Sequence, residues 1–302
     1  MTRVALLGTG RMGSAMARSL ARNGMELTLY NRTPERARGL AEELDARVAE
    51  APARAAAEAE ICLTMLADSA AVDAVWDGPN GLLAGARSGS VLADMSTVPP
   101  ETLKAYAERA AACGAGILDA PVSGSVPLAE SGSLTIMVGG EADALERARP
   151  AFDALAKQVL HIGPLGTGAA MKLAVNTLIF GLNQALAEAL TLAEQSGIDR
   201  AMAYDAFAAS AAAAPYVGYK RAAFVEPERT PVAFSLGLAE KDLRLITESA
   251  ARLGVPMPQA EVDLELVQAA AAGIGAEKDA SSVAAHLRTL ATEQRSRKGS
   301  NS

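Results

Sequence analysis

The run Val4-Ala5-Leu6-Leu7-Gly8-Thr9-Gly10-Arg11-Met12-Gly13 decides how the rest of the chain is read. Four residues of strand character pass straight into a glycine triad, and Ser14 to Arg22 continue in helix-compatible residues. A strand turning into a helix across G-x-G-x-x-G is the context a dinucleotide-binding loop requires. Gly8 permits the tight turn, and Gly10 lets backbone approach a pyrophosphate. Gly13 allows close helix–sheet packing, while the helix start offers free N–H groups to the phosphates. A glycine triad alone is weak evidence, since an ordinary turn also uses glycine; its place between strand and helix is what strengthens it.

Outward from that run, Leu27-Thr28-Leu29-Tyr30, Ile61-Cys62-Leu63-Thr64-Met65 and Val91-Leu92-Ala93-Asp94 alternate with helical stretches. That order predicts a parallel doubly wound sheet. Further strands are expected at Gly116 to Asp119, Leu134 to Val138 and Val159 to Ile162, and Gly163-Pro164 punctuates the end of the sheet domain. Beyond it the pattern is helical only. A proline-free segment from Gly168 to Ser196 stops at Gly197, a C-terminal cap, and would span roughly 40 Å. Its apolar surface is wider than one stripe and needs covering by later helices or a second subunit, so a homodimer or higher homo-oligomer is expected. Helices follow at Ala201 to Ala209, Ser235 to Leu253, Pro258 to Ala272 and Ser281 to Thr289. The expected fold is α/β: an N-terminal Rossmann doubly wound parallel sheet over residues 1–163, joined by a long helix to an all-α C-terminal domain over 164–292. Residues 293–302 are expected to be a disordered tail.

Composition narrows the function. A net charge of −7 offers no basic face for DNA or RNA. Two cysteines, Cys62 and Cys113, make no disulfide framework, and no export signal opens the chain, so a cytoplasmic location is expected. Leu173 to Leu190 carries Asn176, Thr177, Asn183, Gln184 and Glu188, each costly in lipid, which favours a buried helix of a soluble protein over a membrane span. The only histidines, His161 and His286, lie far apart without a ligand-like cluster, so no metal is expected. The partners left are small molecules and further copies of the chain.

After the second strand, where an NAD enzyme usually carries a carboxylate for the ribose 2′-hydroxyl, the chain reads Tyr30-Asn31-Arg32-Thr33. Nothing there repels a 2′-phosphate. Arg32 can lie over adenine and pair with the phosphate while Asn31 and Thr33 donate hydrogen bonds, which favours NADP(H) over NAD(H). A solvated arginine in a turn is the alternative.

Other segments carry chemistry. Ser123-Gly124 lies beyond a strand and is either a polar turn or an anion-binding nest of N–H groups and a hydroxyl. Lys172 and Asn176 are four apart on the long helix and share a face among Met171, Leu173, Val175 and Ile179. Such a lysine is either snorkelling or catalytic. Thr97 follows strand-end Ser96 and could cap a helix before Pro99. Lys241 sits in a helical segment and reads as solvent-facing.

Taken together, the glycine loop, Asp94-Met95-Ser96-Thr97, Asp119-Ala120-Pro121-Val122-Ser123-Gly124, Gly166-Thr167-Gly168-Ala169-Ala170-Met171-Lys172 with Asn176, and Lys241-Asp242-Leu243 span nearly the whole chain. In order and spacing they resemble the β-hydroxyacid dehydrogenases, the family of 3-hydroxyisobutyrate dehydrogenase, tartronate semialdehyde reductase and glyoxylate/succinic semialdehyde reductase. The resemblance implies an NADP-dependent dehydrogenase or semialdehyde reductase acting on a small carboxylate-bearing substrate. It implies Lys172 as general acid/base, with Asn176 holding substrate or lysine, and Ser123 and Gly124 on the carboxylate. By the same analogy Met65, Leu66, Ala67 and Thr97 lie at the cofactor, and Lys241 reaches cofactor and substrate. Ser125 stands where the family often has a second glycine, a variant more like the glyoxylate and succinic semialdehyde reductases, which prefer NADPH. With Ser123 on the sheet domain and Lys172, Asn176 and Lys241 on the helical part, an interdomain cleft is the expected site. The rivals are an imine reductase, against which Lys172 argues, and a cofactor-binding module without catalysis, against which the lysine, serine and asparagine set argues.

Overall fold

A computed structural model describes residues 1–299. The chain divides into two compact units, Met1–Lys172 and Leu173–Ser302.

The first unit alternates strand and helix. It begins β1 (Arg3–Leu7), α1 (Arg11–Arg22), β2 (Glu26–Tyr30), α2 (Pro34–Leu44), β3 (Arg47–Val48), α3 (Pro52–Glu58), β4 (Ile61–Thr64), α4 (Ser69–Trp76) and α5 (Leu82–Gly85). It continues β5 (Val91–Asp94), α6 (Ala107–Ala112), β6 (Gly116–Asp119), β7 (Val122–Ser123), α7 (Val126–Glu130), β8 (Leu134–Gly140), α8 (Ala142–Leu155) and β9 (Ala156–Gly163). The strand order is β3-β2-β1-β4-β5-β6-β8-β7, with β9 also paired to β8. Strands β1 to β6 are parallel. At the far side β8 runs antiparallel to β6 and β7, and β9 parallels β8.

Side-chain alternation explains why this sheet carries helices on both faces. Val4, Leu6, Leu29, Leu63 and Ala93 join one core with Met16, Leu20 and Phe152. Their neighbours Ala5, Leu7, Cys62 and Leu92 join another with Trp76, Leu82 and Tyr106. Central parallel strands buried on both faces read as unbroken apolar runs, which is how β1, β4 and β5 appear in the sequence.

The long helix α9 (Thr167–Gln195) begins in the first unit and runs into the second. The second unit continues with α10 (Arg200–Ala209), α11 (Pro215–Val225), α12 (Leu236–Leu253), α13 (Pro258–Ile274) and α14 (Val283–Gly299) around a core including Phe180, Leu190, Tyr204, Phe224 and Leu243. Helix α11 falls where the sequence suggested no element; Pro215 starts it and Tyr216, Val217 and Phe224 anchor it. Residues 293–299 belong to α14 rather than to the tail expected there, and 300–302 lie outside the described residues. The division falls inside α9 and not at Gly163-Pro164, because the first turns of α9 are fastened to the sheet by Asp119.

Candidate active site

Parallel strands β2, β1, β4, β5 and β6 deliver their C-terminal ends to one edge of the sheet, and β1 is where the strand order turns back. Ligands of doubly wound sheets bind at that edge. The glycine loop lies there. Gly8 has φ +104°, and its N–H donates to Tyr30 O at 2.8 Å. A Cβ on Gly8 would fall 2.3 Å from Met65 O, and one on Gly13 would fall 1.9 Å from Gly8 O, so both must be glycine. Gly10 differs: a Cβ there meets nothing within 4 Å. It is the N-cap of α1 without a side-chain cap bond, and the first turn of α1 has no acidic residue. Thr9 Oγ1 is buried in this loop without a hydrogen-bond partner. A tight turn, open space over Gly10 and a helix start with no anionic side chain fit a dinucleotide phosphate. Arg11 is exposed and Met12 half-buried at the start of α1.

Asn31 does something the sequence did not suggest. Its Oδ1 accepts the Thr9 N–H at 3.1 Å and its Nδ2 donates to Thr33 O at 3.0 Å. It thereby braces the glycine loop against the end of β2 with its oxygen and one of its two Nδ2 hydrogens. Arg32 and Thr33 are exposed, and Thr33 is the N-cap of α2 with no side-chain cap bond.

Met65, Leu66 and Ala67 follow β4, and Ser96 and Thr97 follow β5. Buried Asp94 ties these loops together. Its Oδ1 accepts hydroxyl bonds from Thr64 at 2.6 Å and Ser96 at 2.7 Å. Ser96 Oγ in turn accepts the Leu66 N–H at 2.8 Å. Burial pushes the Asp94 carboxyl up to about 6, against the lowering effect of its hydroxyl partners.

Asp119, ending β6, organises the next part of the edge. Oδ1 accepts the Gly166 N–H at 2.7 Å and Oδ2 the Ala169 N–H at 2.6 Å. Its carboxyl is also raised, first by burial, although these N–H donors stabilise its charge. Gly168 lets the helix come this close: a Cβ there would lie 2.4 Å from Met137 O. Lys172, half-buried, is one turn further along α9 than Ala169. Ser123 pairs with Thr135 on β8, and Gly124 follows at φ +142°.

In the second unit, buried Asn176 donates Nδ2 to Asp242 Oδ2 at 2.8 Å, and Lys241 Nζ lies 2.9 Å from Asp242 Oδ1. One amide hydrogen of Asn176 is thus committed to Asp242, not to substrate. Asp94, Asp119 and Asp242 were quoted in the sequence motifs without a role. The available signal was an aspartate ending an otherwise apolar strand, or facing inward on a helix.

Residues 3–163 match the NAD-binding domain of 6-phosphogluconate dehydrogenase, and 166–287 match the NAD-binding domain of NADP-dependent 3-hydroxyisobutyrate dehydrogenase. A 3-hydroxyisobutyrate dehydrogenase of Pseudomonas aeruginosa is 38% identical over 202 residues, 67% of each chain. Glyoxylate/succinic semialdehyde reductase 1 of Arabidopsis thaliana is 35% identical over 257 residues, 85% of this chain and 88% of that one. Among solved structures, a 3-hydroxyisobutyrate dehydrogenase of Salmonella typhimurium aligns with a TM-score of 0.86 at 27% identity, covering 94% of this chain and 99% of the other.

Proposed function

Because this chain belongs to the β-hydroxyacid dehydrogenase family, we propose that it is an NADP(H)-dependent oxidoreductase interconverting a small carboxylate-bearing aldehyde and its hydroxy acid. The substrate is of the glyoxylate, succinic semialdehyde or 3-hydroxyisobutyrate type. What carries the proposal is the edge of the first unit, which bears both the glycine loop after β1 and, after β6, an Asp119-fastened helix start that leads to Lys172.

The bound nicotinamide supplies or accepts the hydride. The Lys172 ammonium donates a hydrogen bond and then a proton to the carbonyl oxygen as charge builds on it; in oxidation the amine takes that proton back. Ser123 Oγ and the backbone at Gly124 receive the carboxylate. Asn176 and Lys241 support the substrate, with Asp242 fixing the amide of one and the charge of the other. Arg32 and the Thr33 hydroxyl favour the 2′-phosphate, since the turn after β2 has no carboxylate to repel it. A second copy of the chain covers the outer side of α9, where Leu178 and Leu192 are 75% and 70% exposed in line with Ala174, Leu182, Ala185 and Ala189. Helix α9 is long and apolar enough to cross a membrane, but its buried Asn176 and Asn183 bond within the helical unit, to Asp242, Tyr216 and Ala280, and we take it for a core helix of a cytoplasmic enzyme.

The test is oxidation of NADPH and NADH with glyoxylate, succinic, tartronate and methylmalonate semialdehydes and a cyclic imine. We expect turnover of a carboxylate-bearing aldehyde with NADPH preferred, and a folded Lys172→Ala protein slowed about 10²–10⁴-fold. Turnover of the imine alone would point to an imine reductase, and NADPH binding without any turnover to a cofactor-binding module.

A further inference from the structure

We propose that Asp94 is a positioning residue for the nicotinamide end of the cofactor, acting through Ser96 on the backbone of Leu66. The inference rests on the dinucleotide-binding function proposed above for the edge of the first unit.

Asp94 ends β5, in register with Thr64 on β4 and Asp119 on β6, and is 1% exposed. An ionised carboxylate only accepts hydrogen bonds, so the two hydroxyls that meet Oδ1 must both turn their protons toward it. That choice fixes what each hydroxyl oxygen can do next. Ser96 Oγ is left as an acceptor and takes the Leu66 N–H; Thr64 Oγ1 is left as an acceptor and takes Trp76 Nε1–H at 3.2 Å. One anion therefore sets the direction of a hydrogen-bond chain that locks the loop after β4 to the loop after β5. Leu66, whose Cδ2 would lie 3.1 Å from a Cβ on Gly8 of the glycine loop, and Thr97, which the family resemblance places on the nicotinamide side of the cofactor, belong to those two loops.

The side chain is poorly provided for as a purely structural group. Oδ2 is buried with no hydrogen-bond partner, and no cation is recorded with Asp94 among the ion pairs of the described residues. Asp119 adds a second negative charge nearby. A carboxylate kept in such surroundings destabilises the fold relative to a neutral residue, as groups at working sites often do.

The experiment titrates NADPH and adenosine 2′,5′-bisphosphate into the parent, Asp94→Asn, Ser96→Ala and Gly10→Ala proteins, following the fluorescence of Trp76 and the heat of binding. The bisphosphate carries the adenine end of the cofactor without the nicotinamide. In Asp94→Asn the amide no longer compels both hydroxyls to donate; in Ser96→Ala the link to Leu66 is cut while Asp94 stays. Both should weaken NADPH about tenfold and leave the bisphosphate within about twofold, a split that general misfolding would not give. Equal weakening of both ligands would overturn the proposal. So would unchanged NADPH binding in both variants; if Gly10→Ala then still weakens NADPH, the dinucleotide site stands and only the role of Asp94 falls. If Gly10→Ala is unchanged as well, the site itself falls.

Discussion

Two buried aspartates, one in each unit, are kept in opposite ways. Asp94 in the sheet unit has two hydroxyls on Oδ1 and the Ser96 backbone N–H acting on its charge, while Oδ2 has no hydrogen-bond partner. Asp279 in the helical unit is fully enclosed: Lys220 Nζ lies 2.7 Å from Oδ1, the Ser281 N–H also reaches Oδ1, and the N–H groups of Ala233 and Phe234 reach Oδ2. Burial alone would raise both carboxyls. It pushes Asp94 up to about 6, whereas the Lys220 charge and the surrounding donors hold Asp279 below its ordinary value. Asp279 finishes its work inside the fold, pinning the Ala233-Phe234 segment ahead of α12. Asp94 is left with an incompletely satisfied charge at an edge where a ligand is expected.

The largest effect should come from breaking the enclosed pair. Lys220→Met leaves Asp279 buried without its cation and should cost about 3–5 kcal/mol, measured by equilibrium urea denaturation. A loss under about 1 kcal/mol would mean the backbone donors suffice, and the contrast with Asp94 would vanish.

Acid and base should then separate the two carboxylates by sign. Asp279 has a lowered folded value, so its stabilisation is present above the ordinary value of 3.8 and is lost as pH falls through the folded one. Asp94 has a raised one: the folded protein holds its proton more tightly, so its contribution is greatest below 3.8 and is lost as pH rises through about 6. The upper bound for that loss is roughly 3 kcal/mol. Asp119, raised in the same direction, loses stability alongside it. Urea denaturation between pH 4 and 8 should therefore show Asp94→Asn gaining on the parent protein as pH rises from about 4 to 6 and holding that gain above it. A difference that does not change with pH would place the burden on Asp119 alone.

How far these features were legible in the sequence follows from the range of each interaction. Val4 to Gly13 could be read because strand, turn and helix lie within a few residues and each obeys a local rule. The buried runs of β4 and β5 were equally plain. The brace made by Asn31 was not foreseen because the N–H it satisfies belongs to Thr9, a partner 22 residues away that no local pattern reveals. Asp119 was quoted in a motif yet unexplained, since the N–H groups it holds open a helix 47 and 50 residues later. Helix α11 was missed because its buried side mixes Tyr216, Val217, Lys220 and Phe224, and a lysine there reads as surface until Asp279 is known. The polar residues 293–299 continue a helix begun by Val283, where a solvated end needs no apolar stripe.

The smallest expected effect tests where the Asp94 chain stops. Trp76→Phe removes one buried donor, Nε1–H to Thr64 Oγ1, while a phenyl ring can keep the stacking on Tyr106, now at 5.6 Å between ring centres. The loss should be about 1 kcal/mol of stability, read by denaturation. Cofactor affinity should barely move. The Thr64 proton is already given to Asp94, so losing the indole leaves a lone pair unsatisfied on Thr64 without altering what Asp94 asks of Ser96. Ser96→Ala cuts the same chain on the other side of Asp94 and removes two hydrogen bonds there, so stability should fall at least as far, but affinity should fall with it. If Trp76→Phe, followed by the heat of binding, weakens NADPH as much as Ser96→Ala does, the positioning chain begins at α4, and Asp94 is only its middle link.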